Sequence, residues 1–273
     1  MTIGAELNRL HRRLLLKTSG ERYAALFNLR STLRRQPFRV DWTGETYVVQ
    51  DPEMPMVRQH FRHEKQGNMA YEHGLVRRAE LLGQAYRLDQ IKFCDGDAVI
   101  DCGANVGDLR LWFRLKGLEI CYRAFEPSPI EFGCLALNCP NDEYHNVGLW
   151  SADGNLEFYV SSQGADSSLI EPVTYDSIIR VQTRKLSAFI DGPVKLLKLE
   201  AEGAEPEILE GAEDELHRIE FISADLGFER GVNCESTLVP VTNFLISRGF
   251  ELMAVGHRRI YALFRNRAFP LGR

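Results

Sequence analysis

"VIDCGANVGDLRLWF", residues 99–113, runs from an apolar stretch through a glycine-rich turn into a second apolar stretch. Val99 and Ile100 end a short buried strand, and the residues after Gly107 read as a helix closed by Gly117. A strand that leaves through Asp-Cys-Gly-Ala-Asn-Val-Gly has the form of a ligand loop. Gly103 and Gly107 let backbone approach a bound group, and the helix start offers N–H donors. The spacing is G-x-x-x-G. It is neither the G-x-G-x-x-G dinucleotide fingerprint nor a loop ending in G-K-[ST].

The charges around this loop narrow the ligand. Asp101 sits where a diphosphate would be repelled, so a ligand with positive charge suits the turn better. Glu126 follows at the end of the next strand, "EICYRAFEP" (119–127), where a carboxylate accepts both hydroxyls of a ribose. The pair predicts a nucleoside with a cationic or zwitterionic tail, a description that fits S-adenosylmethionine. The bland alternative is a structural strand-to-helix turn beside a solvated glutamate.

Further out, the alternation continues. Ser128 and Pro129 open a helix over 128–139 as N-cap and first helical residue. Strands are predicted at 145–150, 194–203 and 219–227, and an extra antiparallel strand at 154–161. Helices are predicted at 205–217 and over "TLVPVTNFLISRG", and a closing hairpin over "FELMAVGHRRIYALFRN". Alternating strands and helices mean an α/β, doubly wound and mostly parallel sheet. In such sheets ligands bind at the carboxyl ends of the strands. Four of those ends are polar or glycine-rich: Asp101–Gly107, Glu126-Pro127, Glu200–Gly203 and Asp225–Gly227.

Ahead of residue 71 the pattern differs. Residues 4–35 read as two helices broken near Ser19-Gly20, residues 38–51 as a small hairpin, and 70–92 as a helix leading into the core. The predicted division is a helical and hairpin extension over 1–70 and a ligand-binding domain over 71–273. Residues 1–40 carry nine Lys/Arg against two Glu, although the whole chain is at −5. Such an arm meets a membrane surface, a nucleic acid, an anionic substrate or the protein's own acidic body. The acidic remainder speaks against a nucleic-acid partner.

The 273 residues are 44% hydrophobic, the composition of an ordinary globular protein. No apolar run approaches the length of a membrane span, and Arg9, His11, Arg12 and Arg13 interrupt any signal-peptide core. The six cysteines form no C-x-x-C pair, so a reducing, cytoplasmic setting is expected. His60 and His63 lack further ligands nearby, and no metal site is expected there.

"VIDCGANVG", "AFEPSP", "NVGLWSADGNLEFYVS" and above all "LLKLEAEGAEPEILEGA" (196–212) resemble the FkbM family of S-adenosylmethionine-dependent methyltransferases. The resemblance covers about residues 90–260. It implies a Rossmann-like methyltransferase fold of seven strands, the last antiparallel, and O-methylation of hydroxyls on sugars, glycans or secondary metabolites. Matched residue by residue, it puts the cofactor loop on Asp101, Gly103, Ala104, Asn105 and Gly107. The ribose carboxylate falls on Glu126 with Pro127, and the adenine side on Asn146, Val147 and Leu149. The family commonly has Asp where this chain has Glu200, and one extra methylene moves that carboxylate by roughly 1.5 Å.

A hydroxyl acceptor benefits from a base, and the carboxylates at the fourth and fifth strand ends supply the candidates: Glu200, Glu202 and Asp225. The same three are the donors a divalent cation would use, a reading not favoured here. Glu205 reads as helix surface. His73 and His145 read as structural. The polar segment 161–172 reads as a lid or a surface loop, with Asp166 and Ser167 near the ligand. Three other functions remain open at this level: an RNA methyltransferase using the basic arm, a nicotinamide-dependent oxidoreductase, and a non-catalytic binding module that keeps the fold.

Overall fold

The strand that ends at the glycine turn lies inside the sheet, beside its middle strand. The computed structural model describes residues 15–161, 166–256 and 259–269. Within them β4 (Ala98–Cys102) pairs in parallel with β5 (Cys121–Phe125) on one side and with β10 (Val194–Leu199) on the other. With β6 (Glu143–His145), β11 (Ile219–Asp225), β12 (Phe250–Val255) and β13 (Tyr261–Asn266), the order is β12-β13-β11-β10-β4-β5-β6. Only β13 runs antiparallel to its neighbours. The expected seven-stranded, Rossmann-like arrangement is therefore present. The chain moves outward from β4 to β6, then returns to β10 on the other side, so the order reverses between β4 and β10. Their carboxyl ends flank the crevice where ligands bind in such sheets.

The strands read as continuously apolar because both faces are covered. Val99, Leu196, Phe221 and Leu263 belong to one buried cluster, while Ile100, Leu197, Ile222 and Phe264 belong to another. Successive side chains point to opposite faces, so each neighbouring pair splits between the two cores. On the first face pack α3 (Gly74–Ala85), α4 (Leu109–Lys116) and α5 (Pro129–Asn138). On the second pack α6 (Glu205–Glu210) and α7 (Leu238–Ser247).

The N-terminal segment shares the first core. Its helix α1 (Gly20–Leu33) and a three-stranded sheet of β1 (Arg39–Trp42), β2 (Tyr47–Gln50) and β3 (Arg58–Phe61) bury Tyr23, Phe27, Val40, Tyr47 and Phe61 in the cluster that holds Val99 and Leu196. The third strand extends the expected hairpin. Of the basic arm, Arg30 and Arg34 turn inward and both pair with the buried Glu72. Of the first predicted helix, residues 4–14, with Arg9, Arg12 and Arg13, lie outside the described residues.

Three elements differ from expectation. The helix expected over 70–92 is shorter: α3 starts at Gly74, where the Asp51 carboxylate accepts the Leu75 N–H at 2.8 Å, and ends at Ala85 before a 3-10 turn over Leu88–Gln90, while a separate short helix, α2 (Glu64–Ala70), precedes it. The strand expected at 145–150 divides. Asn146 donates to the carbonyls of Glu126 (2.8 Å) and Pro127 (3.0 Å), which takes the backbone out of the main sheet after β6. Gly148–Leu149 (β7) then joins a separate three-stranded sheet with β8 (Gly154–Val160) and β9 (Ser177–Arg184), in the order β7-β9-β8. The helix expected over 205–217 ends at Gly211, where a Cβ would overlap the Trp150 carbonyl, and continues as a 3-10 turn over Glu213–Arg218. No helix among the described residues is long and apolar enough to cross a membrane.

Candidate functional site

A cavity of about 400 Å³ opens over the carboxyl ends of β4, β5 and β10, within the usual range for small-ligand sites. Of the residues singled out in the sequence, Gly103, Asn105, Glu126, Pro127, Val147, Leu149, Glu200 and Glu202 line it. Asp101, Ala104, Gly107, Asn146 and Asp225 do not.

Glu126 anchors the middle. The carboxylate is 6% exposed; one oxygen accepts the Asn105 N–H and the other the Ser128 N–H, each at 2.8 Å. Each oxygen keeps a lone pair for a further donor, the arrangement a vicinal diol needs. Burial, assisted by Glu131, pushes its pKa up to about 8 against those two N–H groups. The cavity's apolar lining includes Phe125, Leu149 and Ile208, which belong to one buried cluster with Val147 packed against it.

The glycine turn behaves differently from its sequence reading. Its N–H groups are not free: Gly103 and Ala104 donate to Phe125 O, Asn105 to Glu126, Val106 to the Asn105 side chain and Gly107 to Ala104 O. The turn therefore offers shape rather than donors. Gly103 has φ +69°, and a Cβ there would overlap the carbonyl oxygen of Glu200, so glycine brings two strand-end loops together. Asp101 is fully buried beneath the turn. It accepts from Tyr122 and pairs with the Lys198 ammonium at 3.0 Å, so its charge is balanced.

Lys198, 3% exposed, also donates to the Gly103 carbonyl (2.7 Å) and faces Glu200 at 3.3 Å. Tyr86, from the end of α3, donates to the same Glu200 carboxylate. Burial opposes ionisation of Glu200, but Lys198, Tyr86 and Arg78 outweigh it and hold its pKa below the ordinary carboxylate range. Glu202 is its opposite. Burial, then repulsion from Glu200 and Glu229, raises it to about 9. Glu229, which also lines the cavity, is raised to about 7 by burial and by Asp225. Asp225 faces an adjoining hollow with Glu229 and Arg259, accepts the Gly227 N–H at 3.2 Å, and lies 3.6 Å from the Arg259 guanidinium. Its pKa is raised, chiefly by burial.

Glu205 is not helix surface. At 2% exposure it accepts from the N–H groups of Ala201 (2.9 Å) and Gly203 (3.3 Å) and from the Thr237 hydroxyl, fixing the turn that carries Glu202. His145 stacks on Phe125 and contacts Glu143, and His63 pairs with Glu131. Among the described residues no three His, Cys, Asp or Glu side chains are grouped to hold a metal ion. Asp166 and Ser167 line the cavity, whereas residues 162–165 of that segment lie outside the described residues.

The sequence reading missed the opposite wall. Lys65, Gln66 and Met69 of α2, Arg78 and Leu82 of α3, and Arg259 and Tyr261 beside and on β13 complete the cavity. Gln66 donates to the Asn105 side chain at 2.7 Å, tying the wall to the glycine turn. No local motif announces these residues. Only Arg78 and Leu82 fall on a helix that the apolar periodicity marks, and that pattern does not single them out.

Comparison with known proteins finds methyltransferases. "Methyltransferase 1" of Beauveria bassiana (strain ARSEF 2860) is 30% identical over 159 residues, covering 46% of this chain and 63% of that protein. "Methyltransferase sdnD" of Sordaria araneosa is 27% identical over 157 residues, covering 43% and 61%. The alignments thus span somewhat over three fifths of these curated relatives. A crystal structure of methyltransferase FkbM from Methylobacillus flagellatus KT aligns with a TM-score of 0.48 at 17% identity, over 66% of this chain and 46% of that one. The profile of the methyltransferase FkbM domain matches residues 101–269, from the buried Asp101 through β13 and more than half of the sequence, and the chain belongs to that family.

Proposed function

We propose that the protein is an S-adenosylmethionine-dependent O-methyltransferase acting on a hydroxyl of a sugar, glycan or secondary metabolite. The observation that carries this reading is the Glu126 carboxylate, seated between two backbone N–H groups and facing a cavity whose lining includes an apolar cluster. The donor set fits the cofactor: Glu126 would accept the ribose hydroxyls, and Phe125, Val147, Leu149 and Ile208 would enclose the base. When bound, S-adenosylmethionine supplies a methyl group on a sulfonium.

The chain's own residues orient the acceptor and manage its proton. Glu200 stays ionised because Lys198 and Tyr86 hold it; the same contacts make it a weak base, so it accepts the hydrogen bond of the acceptor hydroxyl and takes its proton only as the oxygen attacks. Glu202, neutral at pH 7, donates a hydrogen bond to the acceptor rather than removing a proton. Asp225 and Arg259, at the adjoining hollow, position the remainder of the acceptor. Ordering the acceptor hydroxyl against the methyl carbon supplies much of the acceleration.

Calorimetric titration with S-adenosylmethionine, S-adenosylhomocysteine and NAD tests the cofactor. The two adenosyl ligands bind and NAD does not; binding of NAD alone overturns the reading. Turnover of S-adenosylmethionine against a panel of hydroxylated sugars and secondary metabolites then tests the acceptor class.

A further inference from the structure

We propose that Arg78, which lies outside the matched family domain, is the anchor for the α-carboxylate of the cofactor's methionine end. The inference rests on S-adenosylmethionine being the ligand of the cavity. Arg78 stands on α3 and lines that cavity. Its Nε donates to Asp108 Oδ2 at 2.7 Å. Asp108 is 6% exposed and does not cap the helix that follows it. Instead its carboxylate is held by the Tyr71 hydroxyl (2.6 Å) and the Gln59 amide (2.9 Å). A buried carboxylate with two neutral donors behind it thus fixes one edge of the guanidinium. The two terminal nitrogens make no hydrogen bond to a described residue.

A guanidinium gripped through Nε presents its far edge as a fork, and that fork matches a carboxylate. Position along the cavity identifies which one. Glu126 meets the glycine turn at Asn105, and Arg78 meets the residue after the turn at Asp108. Arg78 is also close enough to Glu200 for each to favour the other's charged form. A nucleoside seated with its ribose on Glu126 and its base against the apolar cluster therefore extends its amino-acid tail toward Arg78. Lys198 is close to Glu200 but does not line the cavity, and it is spent on Asp101, Glu200 and two carbonyls.

The test compares S-adenosylmethionine with decarboxylated S-adenosylmethionine, which lacks only the carboxylate, in titration calorimetry of the full chain. The unsubstituted protein is expected to prefer the carboxylated ligand by about ten- to hundredfold. Arg78→Met is expected to lose that preference while binding the decarboxylated ligand as before. Arg78→Lys keeps a cation for Asp108 and guards against misfolding; it is expected to retain the fold and part of the preference. Equal weakening of both ligands by Arg78→Met, or an undiminished preference in both variants, overturns the assignment of Arg78. Absence of binding of either ligand to the unsubstituted protein refutes the cofactor reading instead.

Discussion

Replacing Glu126 by glutamine separates what this residue does for binding from what it does to stability. The folded chain moves its ionisation from the ordinary 4.5 to about 8. At about 1.4 kcal/mol per tenfold change, the buried site opposes the charge by up to about 5 kcal/mol. The sign follows from proton counting. Between pH 4.5 and 8 the folded chain keeps a proton that the unfolded chain has released, so stability from this group is full below 4.5 and is lost as pH rises to 8. A glutamine amide has no such dependence, but its NH2 would confront the N–H of Asn105 or Ser128, costing about 1–3 kcal/mol at every pH. The Glu126→Gln variant is therefore less stable than the parent at pH 5 and more stable at pH 8, with the two curves crossing near about pH 6. Urea denaturation at intervals from pH 5 to 8.5 measures this. Ligand binding moves the other way: two ribose hydroxyls lose a charged acceptor, and S-adenosylhomocysteine binds about a hundredfold more weakly. Because those hydroxyls favour the ionised form, binding to the parent at pH 7 releases a proton, visible as a dependence of calorimetric enthalpy on the buffer. A stability deficit that is the same at every pH, with no proton release, would refute the reasoning.

Other substitutions probe the surrounding parts. Gly103→Ala forces a Cβ onto the Glu200 carbonyl at a positive φ; a loss of about 3 kcal/mol or more is expected in urea denaturation, and unchanged stability would contradict the close approach. Lys198→Met leaves Asp101 and Glu200 without their cation and is expected to cost about 3–5 kcal/mol at pH 7, recovering in part as acid neutralises the carboxylates. Glu200→Gln is expected to reduce methyl transfer by about 10²- to 10⁴-fold, whereas Glu202→Gln, which mimics the neutral form, keeps most of it at pH 7. If the two effects are reversed in assays of S-adenosylhomocysteine formation, the assignment of the base is wrong.

β4 and the site beside it were legible because their signals are local. Val99 and Ile100, the glycine turn and Glu126 all lie within 28 residues of sequence, and period and punctuation suffice to read them. The small sheet was not, because Gly148 finds Thr183 only across a long insertion, and the step out of the main sheet depends on one asparagine side chain. Glu205 was misread for a related reason. At a helix start, exposed and buried carboxylates look alike in sequence; its partners, Ala201 and Gly203, are close in the chain, but Thr237 is not. Arg78 was invisible as a site residue. It is one arginine of a pair on an ordinary helix, and what distinguishes it from Arg77 is Asp108, thirty residues on.

The helical wall over α2 and α3 gives the ligand a second role. A molecule that touches Glu126 on the sheet and Arg78 on the wall cross-links two parts of the chain that otherwise meet across the cavity through contacts such as Gln66 to Asn105. Its binding energy is then shared by both. At a hundredfold excess over Kd the folded state gains about 2.7 kcal/mol, and opening either side forfeits it. Amide exchange over residues 64–85 and over the turn at 103–107 should accordingly slow in step when ligand is added, although the two segments belong to different secondary structures and only one falls in the shared family domain.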